Sequence, residues 1–413
     1  MKHPVLKYTC AAVALAATAC THDIETVNLG IDDVYYVARM QKLDLHPALT
    51  GSAYRWSLLD GGTPVATLST GRDFIFLEAE EGTYSLRFEI IDDRTPYSFD
   101  FTVNVLHEDV EYSPYIARVY EYCPAPGQFV NEMPRYEQGD TYADMVKKAE
   151  DCIAGTNDVM ITLGGYGGYV TFGFDHTVVN IPGQYDFRIW GNCFYELLQP
   201  DKKGGSAEPG IVMVSYDRNC NGEPDDEWYE LAGSEYFSQA TRHNYSITYH
   251  RPESGRIPVP DELNSIDDAF YIRWDDSDGA TGYMPKNIFH KQEYYPLWIT
   301  DNSITFHGSL LAPNAEDISG NGSYYVLYSY EWGYVDNHPN DYADLNSFDI
   351  ANAVDSEGQP VSLPGIDFVR VYTGLNQYCG WLGETSTELC RAQDLHISET
   401  SVIPPEPLTT STK

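Results

Sequence analysis

The sequence predicts an all-β protein: a small immunoglobulin-like sandwich followed by a larger, jelly-roll-like β-sandwich. Three observations predict it. With 33 Gly, 33 Tyr, 24 Pro and 14% aromatic residues, the composition favours strands joined by many turns over a helix bundle. Apolar residues recur at every second position in many short runs, the period of a strand that buries one face and wets the other. Helical periodicity is confined in its strongest form to one segment, Thr141 to Ile153. A chain of 413 residues accommodates two or three domains.

Taken in order, residues 1–19 read as an export signal. Lys2 and Lys7 precede a short apolar run, "AAVALAATAC", too short for the roughly 20 apolar residues of a bilayer span. Ala17-Thr18-Ala19-Cys20 resembles a bacterial lipobox, although Ala17 stands where Leu is usual; the resemblance implies lipidation at Cys20. Residues 20–32 read as a tether. In 33–108 the strands "SAYRWSLLDGG" and "GTYSLRFEIIDD" put Tyr54, Trp56 and Leu58 on one face, and Tyr84, Leu86, Phe88 and Ile90 on another. These strands resemble a PKD-type domain, in which Trp56 is core. The next unit, 109–396, opens with the helix Thr141 to Ile153, Met145 and Ala149 on its apolar side and Gly155 at its end. Its strand candidates are "VMITLGG", "YVTFGF", "GIVMVSYD", "SITYH", "SYYVLYSYEWGYV" and "IDFVRVYT", enough for a jelly-roll-like sandwich. Residues 397–413, rich in Pro, Ser and Thr, read as a flexible tail.

The formal charge is −37, from 62 acidic and 25 basic residues. Such a field repels nucleic acid and anionic lipid headgroups, so the membrane is reached only through the anchor. It suits a protein that holds divalent cations outside the cell. Cys123, Cys152, Cys193, Cys220, Cys379 and Cys390 would remain after export, and an oxidising compartment permits disulfides among them. Cys379 with Cys390 across a hairpin is the simplest pairing to picture. No C-x-x-C occurs, which argues against a zinc ribbon or thioredoxin-type redox site.

The densest set of hard ligands is "SYDRNCNGEPDDEWYEL". Asp217-x-Asn219-x-Asn221-Gly222 matches the start of a Ca²⁺ loop, in which alternate side chains on a tight turn converge on one point. The carbonyl of Glu223 and the side chain of Asp225 extend the set. Trp228 stands where an EF-hand has its bidentate Glu, so Asp226, Glu227 or Glu230 must close the shell. The competing reading is a solvated turn whose Asp and Asn cap backbone N–H groups. The ion, if bound, is structural.

Catalytic signatures are missing: there is no H-E-x-x-H, G-x-S-x-G or phosphate loop. The glycines of "LGGYGGYVTFGFDHTVVN" permit turns and close sheet packing. His176, His290 and His338 read as hydrogen-bonding residues. An aromatic belt runs from Tyr271 to Tyr334, with Trp274, Tyr283, Tyr294, Tyr295, Trp298, Trp332 and Tyr334 set among His290, Asn337 and acidic residues. Part must be core, by alternation. The rest suits a large ligand with apolar faces and a polar rim, such as a sugar or a corrinoid.

"GGYGGYVTFGFDHTVVN", "EPGIVMVSYDRNCNGEPDDEWYELAGSEY", "YYPLW" and "FDIANAVDSEGQPVSLPGIDFVRVYTGLNQYCGWLGETSTELC" together resemble the large β-sandwich domain of Bacteroidetes cell-surface lipoproteins, many with a PKD-like domain in front. The resemblance implies an outer-membrane, surface-exposed binding protein that is not an enzyme. Within it, similarity to surface cobalamin-binding lipoproteins of the BtuH type implies capture of cobalamin for a TonB-dependent outer-membrane transporter. His290 and His338 are the side chains able to coordinate cobalt, with amide and stacking contacts weighted above them. The alternatives are a glycan-binding or adhesion module using the same aromatics, and a glycoside hydrolase, which requires two carboxylates about 5–10 Å apart in a cleft.

Overall fold

A computed structural model describes residues 29–91, 96–197 and 202–397. Cys20 and the segment read as an export signal lie outside the described residues, as does nearly all of the C-terminal tail. The chain is almost entirely strand and turn, as the alternation predicts.

The first unit is a two-sheet sandwich. Its larger sheet runs in the order Val34–Ala38, Tyr97–Leu106, Gly82–Ile91, Ala53–Asp60 and Thr63–Ser69, with the first pair parallel and the others antiparallel. Leu43–Leu45 and Phe74–Phe76 form the covering pair. Trp56 is 1% exposed at the centre, its ring 4.5 Å from Phe88 and 5.2 Å from Phe74 between centroids. Its indole N–H donates to the Gly71 carbonyl, so the buried ring leaves no polar atom unpaired. Leu29 and Ile31, within the tether of the sequence reading, are buried in this core.

The second unit is built on a six-stranded antiparallel sheet, ordered Ala353–Val354, Trp228–Leu231, Gly210–Ser215, Gly365–Thr373, Tyr169–Val179 and Arg118–Cys123. Both of its faces are covered. Val170, Phe172, Val212, Val214, Val369 and Val371 join one core with Phe187, Ile189, Phe348 and Ala392 of a three-stranded sheet (Ser347–Phe348, Phe187–Trp190, Arg391–Asp394) and with Met145, Ala149 and Ile153 of the helix. On the opposite face, Tyr169 and Tyr372 meet a four-stranded sheet ordered Thr281–Asn287, Ile266–Asp276, Arg242–His250 and Ser303–Leu310. Gly308 lies flat against the Tyr372 ring, where a Cβ would stand 2.8 Å from ring carbons.

The helix occupies Tyr142–Ile153. Thr141 accepts from the Asp144 N–H, and the Asp144 carboxylate accepts in return from the Thr141 N–H, a reciprocal capping box. All six cysteines of the described residues are unpaired thiols. The pairing of Cys379 with Cys390 fails because the segment between them is no hairpin: Cys379 caps a 3₁₀ turn, Gly380–Leu382, and the chain then runs into the strand Glu388–Leu389.

Candidate functional site

The sequence "CGWLGETSTELC" supplies the wall and floor of a cavity of about 320 Å³. The 3₁₀ turn at Gly380–Leu382 lifts Trp381 to the surface, 43% exposed. Gly383 follows at φ 94°, left-handed backbone that favours glycine. A Cβ there would stand 2.3 Å from Gln128 Oε1, so the glycine lets Gln128 lie across the turn. Gln128 Nε2 donates to the Leu382 carbonyl at 2.7 Å, and its Oε1 accepts from Asn287 at 2.6 Å. The chain then dives inward, and Glu384, Thr385, Ser386 and Glu388 are all buried.

The mouth is aromatic. Phe289 is 59% exposed and stands edge-on to Trp381, centroids 6.5 Å apart. Phe129 packs edge-on against His290 at 4.7 Å. Burial lowers the His290 pKa, so the imidazole on the rim is neutral.

The floor is acidic. Glu384 Oε1 accepts the Gln128 N–H at 2.6 Å, while its Oε2 has no partner. Burial raises this carboxyl to about 8. Glu388 Oε1 accepts from the hydroxyls of Thr162 and Ser386 at 3.0 and 2.7 Å, yet burial still carries it to about 7. Glu208 rises well above the carboxylate range, by burial first and then by the charges of Glu388 and Asp336. Asp336 lies just behind, raised by burial and by Glu388. Oxygens of Glu208, Asp336 and Glu388 lie within 4.8 Å of one another. Carboxyl groups in this state both donate and accept hydrogen bonds, which suits a ligand rich in hydroxyls.

Of the belt residues named from the sequence, only His290 lines this cavity, beside Phe289 of the same stretch. Tyr294, Tyr295, Trp298 and Tyr334 are 0–7% exposed and belong to the cores. Tyr334 packs on Gly233. Trp274 is half-buried, its ring lying on Gly282, and Trp332 is also half-buried. Tyr283 is exposed, but on the far strand beside Phe270. Asn337 is fully buried and clamps the backbone of Tyr330 through both its oxygen and its amide. His338 bonds Tyr195 and the Glu331 carbonyl, and burial depresses it to about 4. The floor residues Glu208, Glu384 and Glu388 and the rim residues Trp381 and Phe289 carried no separate signal among 62 acidic and many aromatic side chains. The one available hint was "ETSTE", two Glu four residues apart with hydroxyls between.

The 217–227 loop does gather part of its set. Asp217 accepts the N–H groups of Asn221 and Gly222, and the amides of Asn219 and Asn221 both donate to Asp225. Glu223 reaches toward Arg118, its carbonyl taken by the Asp225 N–H, and Glu227 accepts from the Tyr229 hydroxyl. Asp226 accepts the Arg218 N–H.

No protein-family model matches the chain, and no curated protein matches it. Among solved structures, SusE-like protein BT2857 is similar at a TM-score of 0.25 and 10% identity, over 87% of this chain and 95% of that one. A likeness that slight carries neither fold nor function across.

Proposed function

We propose that the chain is a binding protein, lipid-anchored at Cys20 and displayed at the cell surface, whose cavity captures a saccharide without making or breaking a bond. The observation that supports this is the pairing of an aromatic mouth, Phe289 and Trp381, with a floor of carboxyl and hydroxyl groups, half-buried Glu208 and buried Glu384, Ser386 and Glu388. Sugar rings offer apolar C–H faces to the first and hydroxyls to the second. A cavity of about 320 Å³ lies at the small end of the roughly 300–1,000 Å³ of ligand sites. That size fits one or two sugar rings.

Cobalamin capture for a TonB-dependent transporter is the second reading. Its support is the neutral His290 imidazole on the rim, and against it stand the cavity's size and the burial of most of the belt. In either reading a structural Ca²⁺ in the 217–225 loop is a separate proposal, resting on ligand spacing.

The test is calorimetry of the mature protein with a panel of soluble oligosaccharides and with cyanocobalamin. Saccharide binding that falls at least tenfold in Trp381→Ala or Phe289→Ala supports the reading. Binding of cyanocobalamin alone replaces it with the second. Release of reducing ends on prolonged incubation would make the protein a hydrolase instead.

A further inference from the structure

The floor of the cavity is made by separate stretches of chain. Glu208 stands two residues before the strand Gly210–Ser215; Asp336, just behind the lining, sits in the turn after the bridge of Val335 to Gly210; and Glu388 begins a strand paired with Ile161–Thr162. Asp336 and Glu388 are 0% and 2% exposed. Their carboxylates are held by donors that carry no charge. Asp336 Oδ1 accepts the Asn192 and Cys193 N–H groups at 2.7 and 2.8 Å, and its Oδ2 accepts the Glu388 N–H at 3.0 Å. Glu388 accepts from Thr162, Ser386 and Asn192, and Glu208 Oε1 accepts from the Ser386 N–H at 3.0 Å. A carboxylate offers about four lone-pair sites, so each retains acceptor capacity where the three converge.

The backbone is also committed to this arrangement. Asp336 has φ 56°, left-handed for a non-glycine residue, and a Cβ on Gly191 would stand 2.5 Å from its Oδ1. A separate observation points to a ligand in the same space. Glu384, 4% exposed, lines the same cavity as Glu208 and Glu388, and its Oε2 has no hydrogen-bond partner. Leaving such an oxygen buried and bare is costly unless something fills the space before it.

We propose that Glu208, Asp336 and Glu388 bind a divalent cation of the Ca²⁺ class at the floor of the cavity that Glu384, with its unpartnered oxygen, also lines. The ligands are all hard oxygens, which select Ca²⁺ or Mg²⁺ over zinc. Ca²⁺ accepts six to eight oxygens in irregular geometry, and three carboxylates leave positions open toward the cavity for water or ligand hydroxyls. The site is distinct from the 217–225 loop and does not rest on the saccharide reading.

The test uses the mature full-length protein freed of metal by chelator, titrated with CaCl₂ by calorimetry and melted with and without millimolar Ca²⁺. Glu208→Gln, Glu388→Gln and Asp217→Asn are compared with wild type. The expected result is a Ca²⁺-dependent rise in melting midpoint in wild type and in Asp217→Asn. Glu208→Gln and Glu388→Gln lose at least tenfold in Ca²⁺ affinity, and without Ca²⁺ they melt no lower than wild type, because each replaces one of three crowded, largely buried acids with a neutral amide of the same shape. Absence of Ca²⁺ binding to wild type overturns the proposal, as does a response unchanged in both Gln variants or lost only in Asp217→Asn. Absence of saccharide binding to wild type with the Ca²⁺ response intact would count against the saccharide reading alone.

Discussion

Glu230 shows what one carboxyl does when a sheet closes over it. It lies on the strand Trp228–Leu231, on the face turned toward the four-stranded sheet, where the Ser309 hydroxyl donates to its Oε2 at 2.7 Å. Burial raises its pKa from 4.5 to about 7, against the opposing pull of the hydrogen bonds from Ser309 and Tyr372. The folded state therefore holds a proton that the unfolded chain has released between those two values. The stability this contributes is fully present below pH 4.5 and is lost as pH rises through about 7. Glu230→Gln removes the titration. Urea unfolding of both proteins from pH 5 to 8 should show wild type losing stability relative to the variant by up to about 1.4 kcal/mol per pH unit below pH 7. Parallel stability curves for the two proteins would contradict this. The functional carboxyls follow the same physics, and for that reason they were invisible in the sequence. A Glu is singled out by what covers it, and "ETSTE" in a chain with 62 acidic residues does not announce its burial.

At the scale of elements, local signals were legible and layer assignments were not. The helix was readable almost to the residue because its determinants are local: Thr141 and Asp144 at capping spacing, Met145 and Ala149 on one face, and Gly155 just beyond the end at φ 64°. Thr141→Ala removes the side-chain acceptor of the capping box. It should cost about 1 kcal/mol of stability, read as a lower urea midpoint at unchanged slope. No change in midpoint would mean that the cap contributes nothing beyond the packing of Met145, Ala149 and Ile153. The strand Gly82–Ile91 was equally plain, since one face is core and the other wet, whereas in Ala53–Asp60 the alternation slips after Trp56, where Ser57 and Leu59 are buried as well. The aromatic belt misled because alternation names the face a side chain takes but not whether a second layer covers that face. The six-stranded sheet is covered on both sides, so tyrosines of either parity enter a core, and Tyr294 and Tyr295, in a loop with no strand parity, are both buried. "SYYVLYSYEWGYV" reads as one long strand, yet only Tyr325–Tyr328 forms one, with a single separate bridge from Val335 to Gly210, because Gly333 at φ 89° folds the chain between them against Gly233.

The two units are joined by more than a linker. Met40, Leu77 and Ala79 of the first unit are buried in the main core of the second, against residues such as Val178 and Ile366. Gly365 makes room for this: a Cβ there would stand 2.9 Å from Leu77 Cδ2. Beside the apolar contact, the Lys42 ammonium donates to the Asp217 carbonyl at 2.7 Å and to Asp367 Oδ2 at 2.8 Å, and lies 4.2 Å from the centroid of the Tyr216 ring. Asp367 Oδ2 also accepts the Asp217 N–H, so the acidic loop begins at the seam between the units. A spacer that only held the second unit away from a membrane would need none of this. The coupling predicts that wild type unfolds in one calorimetric transition. Met40→Ala removes a buried side chain that is 3% exposed, at a cost of about 2–5 kcal/mol. Lys42→Ala leaves Asp367 part-buried without its cation. The double variant should therefore separate the transition in two, the lower belonging to the smaller unit, whose core is the smaller. The cavity lies within the second unit, so ligand and Ca²⁺ binding should survive in the double variant at temperatures below the first transition. A single transition that merely moves down would mean that the two units remain one cooperative body through contacts other than these.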